Sequence, residues 1–272
     1  MLSDITLGQY FPGNSIIHKF DPRFKILCII LYIVALFSAD SYAAFAAIAV
    51  STALIVVASR LNIVMILKSL KPVIFILAFT VVANLLWTTG EKAIVDFWVI
   101  KIYPEGIRYA LLMALRIVCL IVSTFVLLTY TTSPVALTDA IERLLSPFKK
   151  IGLPVHEFSM MMTIALRFIP TLIEETEKII NAQKARGADF ESGNILRRAK
   201  ALVPVLIPLF VSAFRRADEL AGAMECRLYH GGEGRTRMKV MKAGVGDFLG
   251  LLAFVLFFAA IITTRFFAEG VI

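Results

Sequence analysis

Cysteine is scarce in this sequence, and the little there is excludes two kinds of protein. Cys28, Cys119 and Cys226 form an odd set of three with no CxxC spacing, so neither a disulfide framework nor a zinc site is indicated. The three histidines, His18, His156 and His230, are scattered along the chain and mark no metal site. No GxxxxGKS/T loop occurs, so the chain carries no phosphate loop for ATP. HExxH and GxSxG are also missing, and no spacing singles out a nucleophile, so no catalytic residue is assigned and no cofactor is expected in this chain. The first 23 residues lack the apolar core of a cleaved signal peptide. No basic stretch is interleaved with aromatics, so the net charge of +8 does not read as a nucleic-acid surface.

Charge is thin as well: 18% of residues are charged and 59% are hydrophobic, with a mean hydropathy of +0.82. That balance belongs to a protein dissolved in a lipid bilayer. A spanning helix takes roughly 17–25 apolar residues. Five such segments are expected, at about 24–39, 41–59, 72–89, 107–130 and 246–264, the first two parted by a tight turn at SADSY, residues 38–42. Lys19, Arg23 and Lys25 flank the first, and Arg60, Lys68 and Lys71 lie between the second and third. Basic flanks stay in the cytosol, which places the N-terminus inside and, after five crossings, the C-terminus outside. The fold class is therefore an all-α integral membrane protein of about five spans. Its division is a membrane domain over 1–130, a cytosolic domain over 131–245 and a last transmembrane helix in 246–272. Arg116 lies more than a turn inside the fourth span, and an intramembrane charge is a functional candidate; pairing near an interface is the simpler account.

Residues 131–245 hold 17 of the 28 basic residues and 12 acids, a mixture that favours folded helices. SPVALTDAIERLLSPF, residues 133–148, starts a helix with Ser133 as N-cap and Pro134 at the first helical position. A second helix is expected over 155–186, with Glu174 and Lys178 as an i,i+4 pair, a bend at Pro170 and Gly187 as its stop. A third runs over about 193–229. Its first half, ALVPVLIPLFVSAF, is apolar but short for a span and carries Pro204 and Pro208. It reads as a segment buried under or against the membrane domain, with a re-entrant segment as the competing reading. Gly231 and Gly232 are expected to end this helix; GGEGR, residues 231–235, also has the look of an anion nest, but a helix stop is the simpler role.

Both long helices finish on an arginine, in NAQKARGADF and again in AMECRLYHGG. A cation near a helix C-terminus is favourable by about 0.3–1 kcal/mol, which accounts for any Lys or Arg there. Arginine also offers a planar fork of five donors for a carboxylate, and Ala185 and Gly187 would let a partner's backbone come close. Capping and docking both fit these residues.

Three stretches, GQYFPGNSIIHKFDPRFK, ALRFIPTLIEETEKIINAQKARGADF and RRADELAGAMECR, resemble the T component of energy-coupling factor (ECF) transporters, the EcfT or CbiQ-like transmembrane family. The resemblance covers essentially the whole chain. It implies a non-catalytic subunit of a prokaryotic ABC-type importer for vitamins or micronutrients, in a bacterial or archaeal cell membrane. Its implied partners are two ABC-type ATPases of the EcfA and EcfA′ kind, which would bind ATP and Mg, and a membrane S component that captures substrate. The lipid bilayer surrounds it, and no nucleic acid is involved.

By motif position the resemblance assigns Ala185, Arg186 and Gly187 to the first ATPase-docking end and Cys226, Arg227 and Leu228 to the second. The second end departs from Ala-Arg-Gly at both flanks, which fits two non-identical grooves. The apolar segment around Pro204, Leu206, Ile207 and Phe210 is the expected contact with the S component. The N-terminal GQYFPGNS and DPRFK are most similar to T components shared by several S components. A conventional ABC importer permease forming its own pathway is the alternative reading, and a membrane-embedded enzyme is a third.

Overall fold

The computed structural model describes residues 10–89, 95–97, 100–190, 192, 194–232 and 243–267. The described residues are overwhelmingly helical and fall into two compact units, one of residues 138–232 and one of 10–137 with 243–267. In the second unit a short α1, Ile16–Lys19, leads into α2, Pro22–Phe37. Asp21 caps α2 by accepting from the Arg23 amide, and Pro22 sits at its first position, where a missing N–H costs nothing. After the tight turn Ser41 caps α3, Tyr42–Ser59, through the Ala44 amide. The chain then stays helical through Lys68 and Lys71: α4, Ile63–Leu70, is capped by Asn62 and runs by a 3-10 turn, Lys71–Val73, into α5, Ile74–Trp87. The third apolar element thus begins at Ile63, because Pro72 falls at the start of a new helical turn, where it is tolerated.

A two-stranded antiparallel hairpin, β1 (Val95–Phe97) and β2 (Ile100–Ile102), interrupts the helices. Next, α6, Pro104–Thr124, passes into a π-helical turn, Phe125–Tyr130. The last helix of this unit is α10, Val245–Phe267. Among the described residues four elements are long and apolar enough to cross a membrane: Tyr42–Ser59, Ile63–Trp87, Pro104–Tyr130 and Val245–Thr263. The first expected span, α2, has 16 residues and so extends only about 24 Å, against roughly 30 Å for a bilayer core.

The core of this unit lies where α2, α3, α6 and α10 meet, around Tyr32, Leu36, Phe45, Ile48, Val126 and Ile261. Tyr32 donates or accepts with Thr52 and stacks on Phe257, so its hydroxyl is not left unpaired among apolar groups. Arg116 is answered locally. Its Nη2 donates to the Ala39 carbonyl at 2.8 Å, and the guanidinium lies over the Phe45 ring at 5.2 Å. It therefore serves a buried carbonyl just past the end of α2.

The next helix in the chain, α7, Pro134–Leu145, starts at the end of that unit and continues into the other; it starts as its sequence dictates, with the Ala136 amide donating to Ser133 Oγ. A 3-10 turn, Ser146–Ile151, connects it to α8, Val155–Ala185, and then comes α9, Ile195–Glu225. Each of these two helices has 31 residues, about 46 Å of rise. α8 continues through Pro170, and α9 through Pro204 and Pro208. The apolar half of α9 is only partly covered within its own unit. Val205 is 3% exposed, but Leu206, Ile207, Phe210 and Phe214 are open, because one helix buries a single stripe and leaves the rest of an all-apolar surface uncovered.

Candidate functional site

The two helix ends share one backbone device. At the end of α8 the Gly187 amide donates to the Lys184 carbonyl and the Ala188 amide reaches back to Gln183, both at 3.0 Å. At the end of α9 the Leu228 amide donates to Glu225 at 2.9 Å and the Tyr229 amide to Met224 at 3.1 Å. These paired 5→2 and 6→1 bonds form a Schellman stop, which satisfies carbonyls that a helix end otherwise leaves bare. In both stops the arginine directly precedes the left-handed residue, so Arg186 and Arg227 occupy equivalent positions, and both are exposed.

The left-handed residues differ. Gly187 has φ +85°, a conformation glycine adopts freely. Leu228 has φ +54°, where its Cβ costs roughly 1–2 kcal/mol. Its side chain is left largely open, at 76% exposed. Cys226, on the other side of Arg227, is exposed as well. The helix therefore stops at Leu228, ahead of the expected stop at Gly231 and Gly232. Sequence rules look for glycine or asparagine in that place, so nothing in the letters announces Leu228.

The segment after each tip is pinned. Asp189 accepts from the Ser192 amide at 3.1 Å and from its hydroxyl, closing the loop after the first tip. After the second, Gly232 lies against the ring of His156, in the first turn of α8; a Cβ on Gly232 would sit 2.3 Å from His156 Cδ2. The same ring bonds through Nδ1 to Glu142 of α7 at 3.1 Å. Glu233 and Arg235, the remainder of GGEGR, lie outside the described residues. Among the described residues no three His, Cys, Asp or Glu side chains gather as they would around a metal ion.

Two further arrangements escape sequence reasoning. Lys25, expected as a cytosolic flank, is 1% exposed, and its ammonium donates to the Thr131 carbonyl (2.9 Å), Thr131 Oγ1 (3.1 Å) and Thr132 Oγ1 (3.0 Å). All three of its protons are used, and the residues it holds immediately precede α7. Glu175, beside the expected Glu174–Lys178 pair, instead crosses to α9. Its Oε1 accepts from Ser212 Oγ and its Oε2 from Arg216 Nη2 at 2.7 Å. The Ser212 hydrogen bond, helped by the Arg216 charge, holds the carboxyl below its ordinary value. The apolar residues expected to meet a membrane partner, Pro204, Leu206, Ile207 and Phe210, form an exposed surface earlier on the same helix.

Four bilayer-length helices, with two long polar-tipped helices between the third and the last, describe an α-helical membrane protein. A family profile described as "Cobalt transport protein" (CbiQ) matches residues 13–239. The chain is 54% identical over 253 residues to the energy-coupling factor transporter transmembrane protein EcfT of Clostridium kluyveri, covering 93% of each. It is 54% identical over 242 residues to the EcfT of Ruminiclostridium cellulolyticum, covering 89% of this chain and 90% of that one. With the EcfT of Bacillus subtilis it shares 46% identity over 239 residues, 88% of this chain and 90% of the relative. The chain belongs to the CbiQ/EcfT family of transmembrane components of energy-coupling factor transporters.

Proposed function

We propose that this chain couples two cytosolic ABC-type ATPases to a substrate-binding S component in an ECF importer for vitamins or micronutrients. The observation that carries the reading is the pair of matched Schellman tips, each presenting one exposed arginine. Two equivalent plugs suit two similar grooves, and arginine suits acidic groups within them through its bidentate fork. Ala185, Arg186 and Gly187 make the first plug; Cys226, Arg227 and Leu228 make the second. ATP and Mg bind the partner ATPases, and this chain performs no chemistry of its own. Closure of the ATPases on ATP draws on the plugs and changes how the S component sits.

The exposed apolar stretch of α9, with Pro204, Leu206, Ile207 and Phe210, is the surface for the S component, and several S components share it. In this orientation the N-terminus is cytosolic and the C-terminus outside, with α2 completing the fifth crossing by thinning the bilayer locally or by using Ser38 and Ala39. Copurification from the native membrane tests the assembly. Two ATPases and more than one S component should come down with the tagged wild-type chain. Arg186→Glu with Arg227→Glu should lose the ATPases, and Phe210→Glu should lose the S components alone. Normal recovery of ATPases with the double variant overturns the docking role. Normal recovery of S components with Phe210→Glu and with Leu206→Glu overturns the role of α9.

A further inference from the structure

The contact between α8 and α9 sits at a particular place along both helices. Arg186 lies 11 residues beyond Glu175, and Arg227 lies 11 residues beyond Arg216. At 1.5 Å of rise per residue, Arg186 stands about 16 Å past the crossing, and Arg227 about 16–22 Å past it, because the contact on α9 extends from Ser212 to Arg216. The crossing is polar and directional: one carboxylate takes a hydroxyl from Ser212 on one oxygen and the Arg216 guanidinium on the other. Ser212 and Arg216 are one helical turn apart, so both reach a single carboxylate from one face of α9. With Glu175 23% and Arg216 35% exposed, the pair is shielded enough to hold a fixed geometry.

The prolines reinforce the point. Pro170 on α8 and Pro204 and Pro208 on α9 all precede the crossing. Proline removes a backbone hydrogen bond and admits bending. Beyond the crossing neither arm contains one, so both continue as unbroken hydrogen-bonded rods to their Schellman stops.

We infer that Glu175, Ser212 and Arg216 form a clasp that sets the spacing of the two arginine tips, Glu175 and Arg216 acting as positioning residues for ATPase docking. The inference rests on the docking role proposed above for Arg186 and Arg227. Two rigid arms meeting at one place have a tip separation fixed by their crossing angle, up to about 33–39 Å for full opening. The clasp holds that angle to one value in the resting chain. Without it the arms are free to change their crossing angle, and the tips no longer match two grooves at a fixed distance.

The test measures that distance directly. Nitroxide labels go on native Cys226 and on Asn181→Cys, in the full-length chain in lipid nanodiscs; both positions are exposed, while Cys28 and Cys119 are buried and label poorly. With the clasp intact the distribution is narrow. Glu175→Arg should shift its mean by about 5 Å or double its width, and Glu175→Arg with Arg216→Glu should return it to within about 2 Å. In unlabelled chains, recovery of the ATPases should fall about tenfold in Glu175→Arg and return in the charge swap. A general loss of structure would not be repaired by exchanging the two charges. An unchanged distribution in a folded Glu175→Arg chain overturns the clasp, as does a swap that fails to restore it. If Glu175→Arg does not fold, Glu175→Gln decides, because it keeps the shape and removes the charge: broadening supports the clasp and an unchanged distribution overturns it. Arg186→Glu with Arg227→Glu separates the two ideas. It should keep the wild-type tip distance while losing the ATPases; if the ATPases stay, docking falls and the clasp governs spacing alone.

Discussion

The ends of α8 and α9 are built alike in backbone and unlike in side chain. Each stops with the same pair of reversed hydrogen bonds, and each places an arginine immediately before a left-handed residue. At the first end that residue is Gly187, with open space around it. At the second it is Leu228, which bears the cost of a left-handed Cβ and is left 76% exposed. A residue that is strained and exposed earns its place somewhere other than in the folded chain alone. The two ends thus share a scaffold for aiming an arginine and differ in what surrounds it: a bare backbone at the first, an apolar side chain and a thiol at the second.

The largest expected effect removes what the ends share. Arg186→Glu with Arg227→Glu should lower ATPase recovery by more than about 100-fold, or some 2.7 kcal/mol, with each single change giving about tenfold. Quantitative copurification reads this, and equal recovery for all variants would break the comparison at its root. Next, Gly232→Ala should disturb the second end alone. Its methyl has no room beside His156, so the chain should lose about 1–3 kcal/mol of stability by thermal melting in detergent, with binding at the first end preserved.

A smaller effect comes from exchanging the left-handed residues. Leu228→Gly should stabilise the chain by about 1 kcal/mol yet weaken ATPase association several-fold, and Gly187→Leu should destabilise it by about 1–2 kcal/mol. Melting and copurification measured together separate the outcomes. A Leu228→Gly variant that is more stable and binds equally well would mean that the leucine has no role at the groove. The smallest effect concerns pH. Hydrogen bonding from Ser212, then the Arg216 charge, lowers the folded-state pKa of Glu175; Lys178 adds to the same attraction. A lowered folded value means that the clasp's contribution is whole above the ordinary Glu range near 4.5 and fades as pH falls through the folded value. Melting of wild type and Glu175→Gln should therefore differ at neutral pH and converge as pH falls through the lowered folded value. A difference that stays constant across this range would remove the carboxylate's charge from the account.

Much of the fold is legible because it rests on local rules. Ser133 and Pro134 begin α7, Gly187 stops α8, and runs such as YAAFAAIAVSTALIVVAS have one thermodynamic home, a bilayer. The parts that escape reading depend on partners distant in sequence. Lys25 reads as a cytosolic flank, and only the fold brings it to Thr131 and Thr132. Glu174 and Lys178 have the spacing of an intrahelical pair, yet the adjacent Glu175 is the one that crosses to Ser212 and Arg216.

By itself the sequence determined that this chain lives in a membrane, that its polar middle is helical, and that its two longest helices finish on arginines. Those properties come from transfer free energies, capping chemistry and residue periodicity, all of which act over a few neighbouring residues. The tertiary structure alone decided that the two arginines share one backbone geometry, that Leu228 is held in a left-handed turn, and that one carboxylate joins two helices three to four turns short of their tips. A backbone angle at a helix stop and a bond across 37 or 41 residues depend on how the finished helices end and cross, and no local pattern carries that information.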